Sequence, residues 1–263
     1  MRYRPLPCSA LILVVVLALT MPAAGQDPRG SGDSGFSAGL SLGYLSRALS
    51  LNGEEQDILP KMTSLLGSLI LEYEFQPGFV LAAHIGYSLS DFDGITFRQL
   101  PYSLEIDADS GTIGGILLGA ELEKSLLGGA ALGLDIRALF FASLGLGKEW
   151  ELPGLAVEGS AKGKPIWMKA SVGPVLTYRG WKGVAPFLYP CFDYLWGSFE
   201  FEETVQELVG SEKKDIKGKG QFGLGLGSDF ELSASLRFRA EASLYPHRDG
   251  TDYAFMIQTL FAF

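Results

Sequence analysis

The segment Tyr253-Ala254-Phe255-Met256-Ile257-Gln258-Thr259-Leu260-Phe261-Ala262-Phe263 alternates with a period of two. Successive side chains of a strand point to opposite faces. Tyr253, Phe255, Ile257, Thr259, Phe261 and Phe263 therefore share one broad, aromatic-rich face, and Ala254, Met256, Gln258, Leu260 and Ala262 share the other. An apolar strand with an open edge is a template for aggregation. A closed barrel has no such edge, because its last strand pairs with its first. A partner of the same kind lies near the other end of the chain. Phe36, Ala38, Leu40, Leu42 and Tyr44 alternate with Ser37, Gly39, Ser41 and Gly43.

The terminal segment resembles the C-terminal strand of bacterial outer-membrane β-barrels, which the insertion machinery of Gram-negative bacteria recognises. The resemblance implies an all-β, closed antiparallel transmembrane barrel in the outer membrane of a Gram-negative bacterium. Its partners would be outer-membrane lipid and the barrel-assembly machinery. Tyr253, Phe255, Ile257, Phe261 and Phe263 would form the insertion terminus. The beginning of the chain points to export. Arg2 and Arg4 precede an apolar core over Ala10–Thr20, and Ala23-Ala24-Gly25 has the small residues of a cleavage site. That core is shorter than the roughly 20 residues of a membrane-spanning helix. The expected organisation is a signal peptide over 1–25, a flexible leader over 26–35 and a barrel over 36–263.

Composition agrees. Past the signal, no run is long and apolar enough for a transmembrane helix. Yet hydrophobic residues make up 47% of the chain, and they alternate with Gly, Ser, Ala and charge. This is the pattern of a barrel with an apolar outside and a small, polar inside. The net charge of −9 argues against a nucleic-acid partner, whose phosphates need a basic face. Cys191 is alone once Cys8 leaves with the signal, so neither an internal disulfide nor a thiolate metal cluster is expected. No metal or cofactor is expected.

About ten strands can be traced, with eight or twelve as alternatives. After Phe36–Tyr44 they lie near 64–75, 79–89, 112–123, 130–140, 167–178, 184–201, 216–228, 232–245 and 253–263. Short turns such as Gln76-Pro77-Gly78 alternate with long segments such as Asp91–Gly111 and the charged Glu202–Asp215. Outer-membrane barrels show this rhythm, with short periplasmic turns and longer extracellular loops. An Ile95–Ile106 hairpin inside the wall would raise the count to twelve. Pro174, Pro186 and Pro190 cannot donate to a ladder, so Pro186 is expected in a turn and Pro190 at a bulge. Aromatics flanking the short turns, among them Tyr73, Phe75, Phe79, Tyr178, Trp181 and Phe230, are expected to mark one membrane interface.

The alternation turns Glu72, His84, Glu121, Asp135, Arg137, Lys169, Asp193, Arg237, Arg239 and Glu241 into the lumen, with Glu74, Glu123, Lys217 and Lys219. A ten-stranded interior is little wider than its side chains require, and unpaired charges there are costly. An ion-pair network that fills the lumen is the main expectation. A narrow polar pore is the alternative.

Asp91 and Asp93 form an acid pair at the extracellular end of the third strand. Here the chain resembles omptin-type outer-membrane proteases, ten-stranded barrels of similar length with an Asp pair near this loop and an Asp-His pair on the opposite rim. Such a resemblance implies water activation by general base catalysis. The corresponding rim segment here, Glu202–Asp215, has no histidine, and the histidines are His84 and His247. The resemblance therefore supports barrel size rather than activity, and no catalytic residue is assigned. A non-enzymatic barrel with a structural, adhesive or loop-mediated binding role is expected, with the narrow pore and the rim protease as alternatives.

Overall fold

The computed structural model describes residues 35–51, 59–76, 78–101, 103–107, 110–151 and 159–263. The expected signal peptide, nearly all of the leader and the polar segment Asn52–Asp57 lie outside these described residues.

The described residues form strands and connections. In chain order the strands are β1 (Phe36–Leu51), β2 (Lys61–Gln76), β3 (Phe79–Asp93), β4 (Ile95–Phe97), β5 (Leu104–Ile106), β6 (Ile113–Gly128), β7 (Leu132–Gly145), β8 (Lys148–Glu151), β9 (Gly159–Tyr178), β10 (Val184–Val205), β11 (Leu208–Gly218), β12 (Phe222–Ser233), β13 (Leu236–His247) and β14 (Gly250–Ala262). Ten of them close a ring in the order β1-β2-β3-β6-β7-β9-β10-β12-β13-β14, and β14 returns to β1. The seam is the expected one. Ser37 pairs with Ala262, and the antiparallel register runs on to Ser46 opposite Tyr253.

The outer surface explains why an apolar chain adopts this form. Leu40, Leu42, Leu69, Ile85, Leu118, Leu226 and Ile257 point outward and are exposed, as lipid contact requires. Aromatic pairs mark both borders of this belt. Tyr73–Phe75, Tyr178–Trp181, Phe230–Phe238 and Phe36–Phe263 lie at the end with the short turns. Tyr44–Tyr253, Tyr194–Trp196 and Phe192–Phe222 lie at the other. Along β1 the borders are Phe36 and Tyr44, eight residues apart. At about 3.4 Å per residue and a tilt of about 40° this is roughly 21 Å, close to the height of a barrel's apolar band.

Three segments depart from the sequence expectations. The stretch 216–228 is not one strand. Its alternation slips phase between Gly218 and Phe222, so β11 turns even-numbered residues inward and β12 odd-numbered ones. Lys217 and Lys219 therefore lie in the outward phase, and the buried inward residue is Ile216. The charged segment Glu202–Asp215 is the upper half of a hairpin rather than a loop. Glu200 stands opposite Lys164 on one side and Lys213 on the other, and Glu202 opposite Lys162, so cross-strand pairs of opposite charge suit it to a strand above the membrane. The Ile95–Ile106 region is a hairpin, but β4 and β5 pair only with each other and lie outside the wall's ladder.

The prolines need no bulge. Leu188 pairs with Leu176 and Phe192 with Val172, so the register is the same on both sides of Pro190. Midway between those pairs, Pro190 and Pro174 stand opposite each other, and the β9–β10 ladder is interrupted only there. Two residues without N–H groups thus share one gap. Pro186 also lies within β10, opposite Ser228, rather than in the turn.

One side of the wall changes composition with height. The lower part of β10, Val184–Phe192, pairs with β12. Its upper part, Trp196–Val205, pairs with β11, and β11 joins β1 through Leu49–Leu51. Above the β13–β14 hairpin the wall therefore passes from β10 to β1 through one strand instead of three.

Candidate functional site: the barrel interior

The inward phase of the strands brings side chains together in three levels. The lowest is an ion-pair network on β2, β6, β7, β12 and β13. Arg137 is buried and lies 3.4 Å from Glu121, 3.0 Å from Glu123 and 3.0 Å from Glu241. Arg239 reaches Asp229, Glu121 and Glu123 at 2.6, 3.2 and 3.6 Å. Nearer the periplasmic opening Arg237 pairs with Glu72, and Arg179 lies 3.6 Å from Asp135. The His84 ring shares a 3.2 Å hydrogen bond through Nδ1 with the Ser68 hydroxyl, and its Nε2 is 3.9 Å from Glu121. Glycine makes room for this level. Gly223, Gly225 and Gly227 face inward on β12, and a Cβ at Gly225 would meet Glu241 Oε1, Ser243 Oγ and Tyr189 Cβ, each at 3.2 Å.

The middle level sits where the wall changes partner. Arg47 is fully buried and pairs with Asp193, while its Nε lies 3.4 Å from Asp252. Lys169 reaches Asp193 at 2.6 Å. Arg47 also donates to the Gly220 carbonyl, and Asp252 accepts from the backbone N–H of Ala48 at 2.9 Å. These bonds satisfy backbone groups at the branch, where β1 leaves β14 for β11. The Arg47 guanidinium lies 4.3 Å from the centre of the Tyr245 ring. A cavity of about 60 Å³ lies between the two charged levels, lined by Leu45, Leu66, Leu117, Leu139, Phe141 and Met256, with Lys169 and Glu241 also on its walls.

The upper level is apolar. Leu49, Leu195, Trp167, Phe92, Phe199, Phe201 and Ile216 point inward and are buried. The β4–β5 hairpin folds in among them, burying Ile95, Phe97, Leu100 and Ile106. Above the membrane the polarity of the alternation is thus inverted relative to the expected small, polar inside.

Ten of the lumen residues expected from sequence lie on the inward face, divided between two clusters, whereas Lys217 and Lys219 do not. Glu72, His84, Glu121, Asp135, Arg137, Arg237, Arg239 and Glu241 form the lower cluster, and Lys169 and Asp193 the middle one. Arg47, Asp229 and Asp252 were not foreseen. Each continues the phase of a traced strand, Arg47 three residues past the expected end and Asp229 and Asp252 one residue outside the expected bounds. Asp91 and Asp93 lie in the outward phase of β3 on either side of buried Phe92. His247 hydrogen-bonds Asp252 at 3.3 Å, and no hydrogen bond or ion pair among the described residues joins it to Asp91 or Asp93. Among the described residues, no three His, Cys, Asp or Glu side chains come together as a metal site. Tyr253, Phe255, Ile257, Phe261 and Phe263 line the outer face of β14.

No protein-family model matches the chain, and no curated protein matches its sequence. Solved structures do. The outer membrane protease OmpT from Escherichia coli aligns with a TM-score of 0.50 at 10% identity, over 89% of this chain and 98% of that one. The fold is that of a bacterial outer-membrane β-barrel. The translocator domain of the autotransporter NalP from Neisseria meningitidis aligns at 0.48 and 8% identity, over 97% and 96% of the two chains. An outer membrane channel from Pseudomonas putida F1 aligns at 0.42 and 11% identity, over 92% and 100%. Likeness at 10% identity speaks to fold alone.

Proposed function

We propose that this barrel is a non-enzymatic surface module, anchored in the outer membrane of a Gram-negative bacterium and binding through its extracellular arm. The observation that carries the reading is an interior occupied at three levels while the wall extends far above the membrane. From Trp196 at the upper aromatic border, β10 continues nine residues to Val205, roughly 23 Å at the usual rise and tilt. Leu208 and Val209 at the tip of this arm are 65% and 75% exposed, which suits them to a partner's surface. Against a pore stand the buried Arg137 and Arg47 clusters, which set paired charge into the interior at two levels. Against a rim protease stands the geometry of Asp91 and Asp93, which flank an inward Phe92 and, among the described residues, share no hydrogen-bond or ion-pair partner with His247. The insertion terminus, Tyr253 to Phe263, is part of the same reading as the contact with the assembly machinery.

Planar-bilayer recording of the purified barrel tests the filled interior. No stepwise conductance is expected, either for the wild type or after removal of the arm tip. Regular single-channel steps from the wild type would favour the pore. Adhesion of cells displaying the barrel, compared with cells displaying a tip-trimmed form, tests the arm.

A further inference from the structure

We propose that the turn between β13 and β14 is a proton-operated latch: a proton taken up at His247 Nδ1 expels the Asp249 N–H, draws in the Asp249 carboxylate and releases Lys219 from it. The geometry fixes where the ring's hydrogen sits. His247 ends β13, and its side chain is 7% exposed. The backbone N–H of Asp249 donates to Nδ1 at 3.3 Å, and Nε2 lies 3.3 Å from Asp252 Oδ1. A backbone N–H only donates, so Nδ1 presents a lone pair. The ring is therefore neutral, with its hydrogen on Nε2 facing the Asp252 carboxylate. Proton uptake at Nδ1 sets two donors against each other, and the Asp249 N–H has to leave.

The surrounding charges decide what replaces it. On the Nε2 side, Asp252 of β14 is also held by Arg47 of β1 at 3.4 Å. Arg47 lies against the Tyr245 ring and pairs with Asp193 of β10, which takes Lys169 of β9 at 2.6 Å. Two cations and two carboxylates balance there, so a proton on His247 adds a positive charge with no counterpart. On the Nδ1 side are Asp249 and Arg248 in the turn and Lys219 in the connection from β11 to β12. Asp249 is the one carboxylate of that group. It binds Lys219 at 2.7 Å, and this hydrogen bond holds it below the usual carboxylate range, so it stays ionised in mild acid. Turned to Nδ1–H, it meets the new charge and gives up Lys219.

The latch joins two extracellular connections at the foot of the arm. Lys219 donates its backbone N–H to the Ala48 carbonyl at 3.0 Å, and the Gly220 carbonyl accepts from Arg47. These bonds remain when the Lys219 side chain is released. The barrel stays closed, and only the tie between the β11–β12 connection and the β13–β14 turn is lost. Histidine is the side chain whose charge changes between about pH 5 and pH 8. The foot of the arm is thus tied at neutral pH and loose in mild acid. Nothing in this depends on what the arm tip binds.

The test reads the ring itself. The chain has two histidines, His84 and His247, so histidine labelled with nitrogen-15 gives two ring systems, and His84→Gln leaves that of His247 alone. The purified barrel in micelles is titrated by NMR from about pH 8 to about pH 5. The hydrogen is expected on Nε2 at the upper end and on both nitrogens at the lower, with the Asp249 amide resonance moving on the same curve. Asp249→Asn keeps the backbone N–H and loses the charge, so the His247 midpoint is expected to fall by about half a pH unit or more. Lys219→Met frees the carboxylate, and the midpoint is expected to rise by a similar amount. Both side chains are partly exposed, at 46% and 30%, so neither change removes a packed residue. A hydrogen on Nδ1 at the upper end, no titration of His247 in this interval, or an Asp249 amide that does not follow it would overturn the latch. Midpoints unchanged in both variants would overturn the exchange with Lys219.

Discussion

Arg137 shows how a charge is kept inside a barrel. Three carboxylates, Glu121, Glu123 and Glu241, lie within 3.4 Å of its guanidinium. Removing it leaves them facing one another in an enclosed space, with Arg239 able to answer for two of them. Breaking a buried pair costs about 3–5 kcal/mol, whereas an exposed pair is worth about 0–1. Arg137→Met is therefore expected to destabilise the barrel by about 3 kcal/mol or more, and Arg237→Met, at the half-open mouth, by less than about 1. The urea midpoint of the fast-migrating, unboiled form on gels measures both, and equal shifts would show that burial does not govern this network. Parity alone was enough to turn Arg137 and Glu121 inward, because both lie in the middle of strands with apolar outer faces. Arg47 was hidden by the change of polarity along β1. Past Tyr44 the inward residues become Leu45 and Leu49 and the outward ones Ser46 and Ser50. The period of two persists while its apolar side switches, because the outside is no longer lipid and the inside is a dry core.

At the scale of the element, β11 was the least legible strand. Its signal is a one-residue phase slip across Lys219-Gly220-Gln221, and a slip of one residue exchanges the two faces of a strand. Carrying the phase of β12 backward assigned Lys217 and Lys219 to the lumen, where the structure has Ile216 and Gly218. The glycine run on β12 was legible, since alternate glycines make space on one face only. The outer end of the arm that β10 and β11 form, Glu202–Ser211, is held by the β10–β11 and β9–β10 ladders and contributes none of the buried apolar residues of the upper core, so it adds little to the stability below. Replacing Glu202–Ser211 by Asn-Gly, which joins Phe201 to Glu212 through a two-residue turn, should leave the fast-migrating form at normal yield. Loss of the folded form in that variant would mean that the arm belongs to the barrel's core and is not a displayed appendage.

For the whole molecule, the rhythm of short turns and the two terminal ribbons pointed to a closed ring of about ten strands, with eight and twelve left open, because closure follows from keeping backbone edges out of lipid. The hairpin inside the mouth was not readable. Ile95, Phe97 and Ile106 are too few residues to distinguish a wall strand from an inserted one. The closing strand carries the last test. Phe263 packs its ring 6.3 Å from Phe36, and its N–H donates to the Phe36 carbonyl at 3.2 Å, yet the side chain is 71% exposed. Truncating it to alanine removes apolar area worth at most about 2–3 kcal/mol. That loss alone leaves a barrel of ordinary stability largely folded. Phe263→Ala is therefore expected to refold in detergent to nearly the wild-type yield. In cells the same variant should give several-fold less folded protein in the outer membrane if, as proposed, the terminal strand is also the contact with the assembly machinery. Heat-modifiable gel mobility reads both arms. Equal losses in detergent and in cells would assign Phe263 to stability. Normal levels in both would remove the terminal strand from any part in assembly.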